Sequence, residues 1–268
     1  MSAAEFDARR YWDERLRKNW SLHGVGMVRL ARSYNQWMYR VRARVFRRTV
    51  RRSRIDTPNA SVLDIGSGTG FYVNAWRELG AREVRGMDIA DSAVEQLRER
   101  FPEVPFERAD VSDGTPFEDG AFDAVTIFDV LFHIVDDDRY EQALTEIHRV
   151  LGAEGRFIFT ENFVPEHRAG RKHYVSRSRT AIEDLLHRAG FEVVRRRPAF
   201  VFMAPPVASD SRWRWALWSK VLLRLARREL RGKYLGAAMY PFELLLTAVP
   251  LQSPVMEIVV CRKRRTDD

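Results

Sequence analysis

The chain is short of cysteine, of long apolar runs and of leader chemistry, and each shortage removes a class of protein. One cysteine in 268 residues, Cys261, excludes an intramolecular disulfide and any cysteine zinc cluster, and it points to a reducing compartment. No stretch reaches the ~18 uninterrupted apolar residues of a membrane-spanning helix. The start, Met1-Ser2-Ala3-Ala4-Glu5-Phe6-Asp7, has no apolar run behind a basic one and so does not read as a secretory signal. No histidine–carboxylate set stands at metal-ligand spacing, so no metal is expected. With 45% hydrophobic and 31% charged residues, the composition is neither disordered nor collagenous. The expectation is a soluble, cytoplasmic, globular chain of one large domain with additions.

What is present is charge, unevenly placed. Residues 1–54 hold 15 Lys and Arg against 4 Asp and Glu, and residues 211–233 hold 8 against 1. The centre, 55–210, holds 18 against 28. Two basic segments flanking an acidic centre suit an anionic partner: nucleic acid, a phospholipid surface or an acidic substrate. They equally suit basic helices packed beside an acidic core.

Met27, Leu30, Tyr34, Trp37, Met38, Val41 and Val45 recur at helical spacing, predicting an amphipathic helix over 27–50. Asp56-Thr57-Pro58-Asn59 breaks the pattern. Strand and helix then alternate, with strands at 61–65, 83–89, 105–108, 121–128, 155–160 and 191–195. Helices are expected at 73–79, 92–100, from Asp136 to Leu151 with Gly152 as its stop, and at 180–189. Repeated βα units imply a parallel sheet covered on both faces, an α/β doubly wound fold. The rhythm lapses in 201–253, where a basic tryptophan-bearing helix precedes an apolar stretch, Tyr234–Leu251, expected as a hairpin. Val255–Cys261 returns to strand character.

Val62-Leu63-Asp64-Ile65-Gly66-Ser67-Gly68-Thr69-Gly70 is a strand running into a glycine turn. Glycines let the backbone bend sharply and approach a ligand closely. The dinucleotide fingerprint would want its third glycine where Phe71 stands, and the Gly-Lys-Ser/Thr of a phosphate loop is absent. Asp64 before the turn suits a cationic ligand. Asp88, with Ile89, ends the second strand, where a carboxylate can accept both hydroxyls of a ribose. Asp110, with Val111, follows the third. Three carboxylates converge on the carboxyl edge of the sheet, where open α/β folds bind ligands.

These residues, with FDAVTIFDVLFHI and EIHRVLGAEGRFIFTENF after them, make 61–163 resemble the class I S-adenosylmethionine-dependent methyltransferases. The resemblance implies a Rossmann-like, seven-stranded sheet with an antiparallel last strand, supplied here by Val255–Cys261. It implies that Gly66, Ser67, Gly68 and Gly70 line the methionine end of the cofactor and that Asp64 meets its amino group. Asp88 and Ile89 would hold the ribose, Asp110 and Val111 the adenine, and Phe128 and Asp129 would lie beside the methyl group. The product would be S-adenosylhomocysteine.

Methyl transfer needs proximity, alignment and a dry site, and an alcohol acceptor also needs a base. His133, directly after the fourth strand, is the first candidate, with Glu161 at the end of the fifth strand and His173 as others. His167 and His173 flank a basic connection (Arg168, Gly170, Arg171, Lys172) suited to a substrate lid. Arg40 and Arg42 could face an anionic acceptor. The expected organisation is an N-terminal helical cap (1–55), a methyltransferase core (56–200 and 254–264) and a helical insertion (201–253). That insertion reads equally as a pocket lid, a dock on an anionic inner membrane surface, or a dimer contact. The expected reaction is O-methylation of a small-molecule, sugar or lipid-linked acceptor. The alternative is an RNA methyltransferase using the basic flanks; a non-catalytic cofactor-binding protein of this fold would need a damaged site.

Overall fold

The strand Ser61–Ile65 (β1) is buried at every position, because parallel neighbours flank it and helices cover both its faces. In a computed structural model describing residues 6–166 and 173–264, the other strands are β2 (Glu83–Asp88), β3 (Phe106–Arg108), β4 (Phe122–Ile127), β5 (Leu151–Glu161), β6 (Phe191–Phe200) and β7 (Met256–Lys263). They form a seven-stranded sheet in the order β3-β2-β1-β4-β5-β7-β6, with β7 antiparallel to both neighbours. Alternation along each strand divides the core. Val62, Ala124 and Ile158 join one cluster, while Leu63, Val125, Phe157 and Phe159 join the other.

Four helices complete the crossovers: α4 (Phe71–Glu78), α5 (Asp91–Arg100), α6 (Asp137–Val150) and α7 (Arg179–Arg188). Before β1 come α1 (Ala8–Lys18), α2 (Leu22–Val25) and α3 (Arg32–Arg52). Between β6 and β7 lie α8 (Arg212–Leu217), a π-helical turn (Trp218–Leu222), α9 (Leu223–Ala226) and α10 (Glu229–Leu246). The stripe Tyr34, Met38, Val41, Val45 seats α3 on the first core cluster.

Three local expectations change. The helix over 27–50 begins only at Arg32, because the carboxamide of buried Asn35 binds the backbone of Met27 and Ala31 and holds that stretch in a turn. Gly152 is no helix stop: α6 ends at Val150 and runs straight into β5, where Leu151 pairs with Phe122 ahead of a bulge. Tyr234–Leu251 is no hairpin either. Most of it is α10, continuous through Pro241, whose ring is exposed so that the carbonyl it leaves unpaired can meet water.

The two basic segments, far apart in sequence, meet in space. Gly232 and Gly236 let α10 close on α3; a Cβ at Gly236 would stand 2.5 Å from Trp37 Cδ1. Glu229 caps α3, its carboxylate oxygens accepting from the amides of Arg32 (2.8 Å) and Ser33 (3.0 Å). Glu243, buried in α10, accepts from the amides of Val201 (2.6 Å), Phe202 (3.1 Å) and Met203 (3.4 Å), tying the insertion to the end of β6. Burial pushes its carboxyl upward, and those three amides resist the shift. Glu243→Ala strands three interior amides, and is expected to lower the unfolding free energy in urea by about 3 kcal/mol, with Glu243→Gln losing less.

Candidate active site

The chain leaves β1 through three glycines with positive φ, Gly66 (72°), Gly68 (55°) and Gly70 (75°). A Cβ on Gly66 would lie 2.3 Å from Val130 Cγ2, so the turn can sit this close to the end of β4 only without a side chain. The amides of Gly66 and Ser67 donate to the Met87 carbonyl, and that of Gly68 donates to Asp88 Oδ2 at 2.8 Å. Asp88 Oδ1 accepts from the Ala90 amide at 2.9 Å. Burial raises the Asp88 carboxyl, and these amide bonds oppose the rise. Each oxygen keeps a lone pair for a further donor.

Above this turn, at the carboxyl edge of the sheet, is a cavity of about 380 Å³. Its wall includes Gly66, Ser67, Gly68, Asp88, Ile89, Asp110, Val111, Phe128, Asp129 and His133. Asp110 is already engaged, accepting from Ser112 N at 2.9 Å and from Arg139 Nη2 at 2.9 Å. Two buried hydroxyls on the wall, Thr69 Oγ1 and Ser112 Oγ, have no partner among the described residues. Acidic ends to two strands, a turn whose glycines carry no side chain, and unpartnered hydroxyls fit a cationic nucleoside with a diol.

Four expected residues stand elsewhere. Asp64 lies beneath the turn, 2% exposed, with Oδ1 accepting from Thr126 Oγ1 at 2.8 Å, so it supports the cavity floor and does not face a ligand. Burial pushes its carboxyl up to about 7. Gly70 opens α4 against Phe101 and is off the wall. The ring of His173 stacks on Tyr11 (5.2 Å between centroids) and is likewise off the wall. Glu161 is fully buried under the fifth strand, accepting from Tyr140 Oη (3.2 Å) and from its neighbour's amide, Asn162 N (2.7 Å). His167, Arg168, Gly170, Arg171 and Lys172 lie outside the described residues.

Residues of α1, α3 and α4 complete the site. Helix α1 roofs the cavity: Arg9 pairs with Asp91 at 2.6 Å, Asp13 Oδ1 accepts from Ser92 N at 2.8 Å, and Trp12 meets the His133 ring edge-on at 5.0 Å. Trp20 Nε1 donates to the Gly68 carbonyl at 2.9 Å. At the β4 end, Tyr72 stacks on Phe128 (3.9 Å between centroids) and Tyr39 meets Phe71 edge-on (4.8 Å). Asp129, at φ 58°, is held 2.5 Å from Arg42 Nη1. Burial would lower the pKa of that guanidinium, but the Asp129 carboxylate and the two tyrosines more than offset it. Arg42 is therefore spent on the protein's own carboxylate. Arg40 is exposed and stacks on Trp37 (4.1 Å), away from the cavity.

Of the candidate bases, His133 alone lines the cavity. Its Nδ1 lies 2.6 Å from the His173 carbonyl, which can only accept, so Nδ1 carries the proton and Nε2 is the acceptor. Burial lowers its pKa to about 4 against the opposing pull of that carbonyl, leaving the ring neutral at neutral pH. Burial pushes the Glu161 carboxyl up to about 8. The folded chain thus keeps a proton that the unfolded chain releases near pH 4.5, and stability contributed by that proton is lost as pH rises toward 8. Urea titrations at the two ends of this window should show wild type losing stability upward, and Glu161→Gln losing markedly less.

Residues 63–159 match a family described as "Methyltransferase domain". A probable S-adenosylmethionine-dependent methyltransferase of Mycolicibacterium smegmatis is 30% identical over 49% of this chain and 52% of its own length. The demethylmenaquinone methyltransferase of Thermus thermophilus is 38% identical over 37% of this chain and 46% of its own. The chain thus spans about half the length of these curated relatives. Among solved structures, a Leishmania major S-adenosylmethionine-dependent methyltransferase shares the fold, with a TM-score of 0.59 at 17% identity over 72% of this chain and 74% of that one. The sheet order, the glycine turn and these matches agree: residues 63–159 match a methyltransferase domain, and the chain is similar over this part to S-adenosylmethionine-dependent methyltransferases.

Proposed function

We propose that the chain methylates a hydroxyl on a small, mostly apolar, ring-bearing acceptor, leaving S-adenosylhomocysteine. The observation that carries this reading is the aromatic wall at the β4 end. Tyr39, Phe71, Tyr72 and Phe128 face the cavity there, and the Arg42–Asp129 pair closes it. Burial holds the Tyr39 phenol up at about 12 and raises Tyr72 as well, so both stay uncharged. Such a wall packs against a flat ring and offers few of the paired polar groups that a sugar would need. A relative named for demethylmenaquinone supports the same class of acceptor.

The cofactor brings an already activated sulfonium methyl, so this chain's task is binding, alignment and exclusion of water. Asp88 holds the ribose hydroxyls with the lone pairs its amide bonds leave. Gly66 and Gly68 give the backbone close approach, and Asp110, Val111 and the Ser112 hydroxyl face the adenine. Helix α1 covers the cavity through Trp12 and Leu16. Arg42 positions Asp129 beside the reacting end. His133 presents an unprotonated Nε2, able to take the acceptor's proton without first losing one.

Asp88→Ala removes two acceptor atoms and should weaken S-adenosylmethionine binding by about 100-fold in calorimetry; unchanged affinity would sink the site assignment. Because His133 is neutral above about pH 4, the rate should show no inflection at the ordinary histidine value. A step near pH 6.5 that vanishes in His133→Asn would show a histidine of normal basicity instead. The acceptor is tested with labelled methyl cofactor, purified protein and a fractionated cell extract. Label in the organic phase supports an apolar acceptor, label in the aqueous small-molecule fraction a polar one, and label in RNA overturns the reading.

A further inference from the structure

Helix α10 is apolar nearly all round, yet only one side of it is covered. Gly232, Gly236 and Glu243 are buried toward the body. On the opposite side Leu230, Tyr234, Phe242 and Leu245 are 65–67% exposed. At about 100° per residue, these four and the exposed Ala238 and Pro241 fall within an arc of about 120°. From Tyr234 to Val255 the only charged residue is Glu243, which is buried, so charge enters this face only at its start, where exposed Arg231 follows Leu230. Trp213 (59% exposed) and Val221 (46%) extend it along the preceding helical stretch.

The rim is cationic. Residues 211–233 carry eight Lys and Arg against one acid, and that acid, Glu229, is engaged in capping α3. Among the described residues, no Lys or Arg of this stretch forms an ion pair. An uncovered aliphatic and aromatic stripe beside unpaired cations complements a surface that is oily beneath and anionic on top. A two-fold pairing with a second copy would set the cationic rim against itself.

We infer that the outer face of α8–α10 docks the protein on an anionic phospholipid surface. Leu230, Tyr234, Phe242 and Leu245 enter the boundary between headgroups and acyl chains, and Arg224, Arg227, Arg228 and Arg231 meet lipid phosphates. The helix lies along the surface, because its inner side is pinned to α3 at Gly236 and to the end of β6 by Glu243, and no described helix is long and apolar enough to cross a membrane. Helix α3 links dock and cavity: Trp37 meets α10, while Tyr39, two residues on, lines the cavity wall. This inference stands apart from the choice of acceptor, since docking requires no turnover.

The test is flotation of the full chain with two vesicles, phosphatidylcholine alone and phosphatidylcholine with about 30 mol % phosphatidylglycerol. Wild type should float with the anionic vesicles, bind the neutral ones roughly tenfold less, and be released at about 0.5 M salt. Phe242→Glu with Leu245→Glu, and separately Arg224→Glu with Arg231→Glu, should each cut binding roughly tenfold while thermal midpoint and cofactor affinity hold. All four sites are exposed, and the two pairs fail independently if one perturbs folding. Equal binding to both vesicles, no flotation, or charge-reversed variants that bind like wild type would overturn the inference. So would a dimer in sedimentation velocity that Phe242→Glu abolishes.

Discussion

One hydrogen bond organises the ligand edge of this sheet: the amide of Gly68 donating to the carboxylate of Asp88. It ties the turn after β1 to the end of β2, and it works only because Gly68 adopts a conformation that side chains resist. With the Ala90 amide on its other oxygen, Asp88 is held as an acceptor in a place where burial favours protonation. The carboxylate is both a strut of the turn and part of the cavity wall. Moving it would disturb the turn, the Trp20 contact with Gly68 and the roof together.

Other buried ionisable groups follow one principle: each is satisfied by groups that the chain itself delivers. Arg42 meets Asp129 inside an aromatic frame, Glu243 collects three amides, and Glu161, which keeps its proton, is held by Tyr140 and Asn162. A desolvated ion is tolerable when partners replace its water, and half a pair is far worse than none. Asp129 also sits at a positive φ, which its neighbours must enforce. The helices before β1 and between β6 and β7 are therefore structural members of the catalytic edge. Arg42 comes from one, and the other braces it through α10.

Local pattern carried most of the sheet: Ser61–Ile65 and Phe122–Ile127 read as strands because apolar runs end in turn residues. The glycine turn, Asp88 and Asp110 were legible because their spacing relative to strand ends places them on one edge. Asp64 and Glu161 misled for a shared reason. A carboxylate at a strand end points either toward the edge or back into the layer, and only packing against Thr126 or Tyr140 decides which. Trp12 and Tyr72 could not be placed, since their roles depend on how α1 and α4 lie across the sheet. The hairpin expected over Tyr234–Leu251 gave way to a helix that runs through Pro241, because packing against α3 holds it.

The cavity and the two ends of the described chain are arranged asymmetrically. Phe6 is part of the cavity wall, whereas β7 runs antiparallel and delivers Lys263 beside Phe191, at the edge of the sheet remote from the glycine turn. A substitution at Phe6 therefore alters the cavity wall itself, whereas one at Lys263 changes the far side of the sheet and leaves that wall as it is.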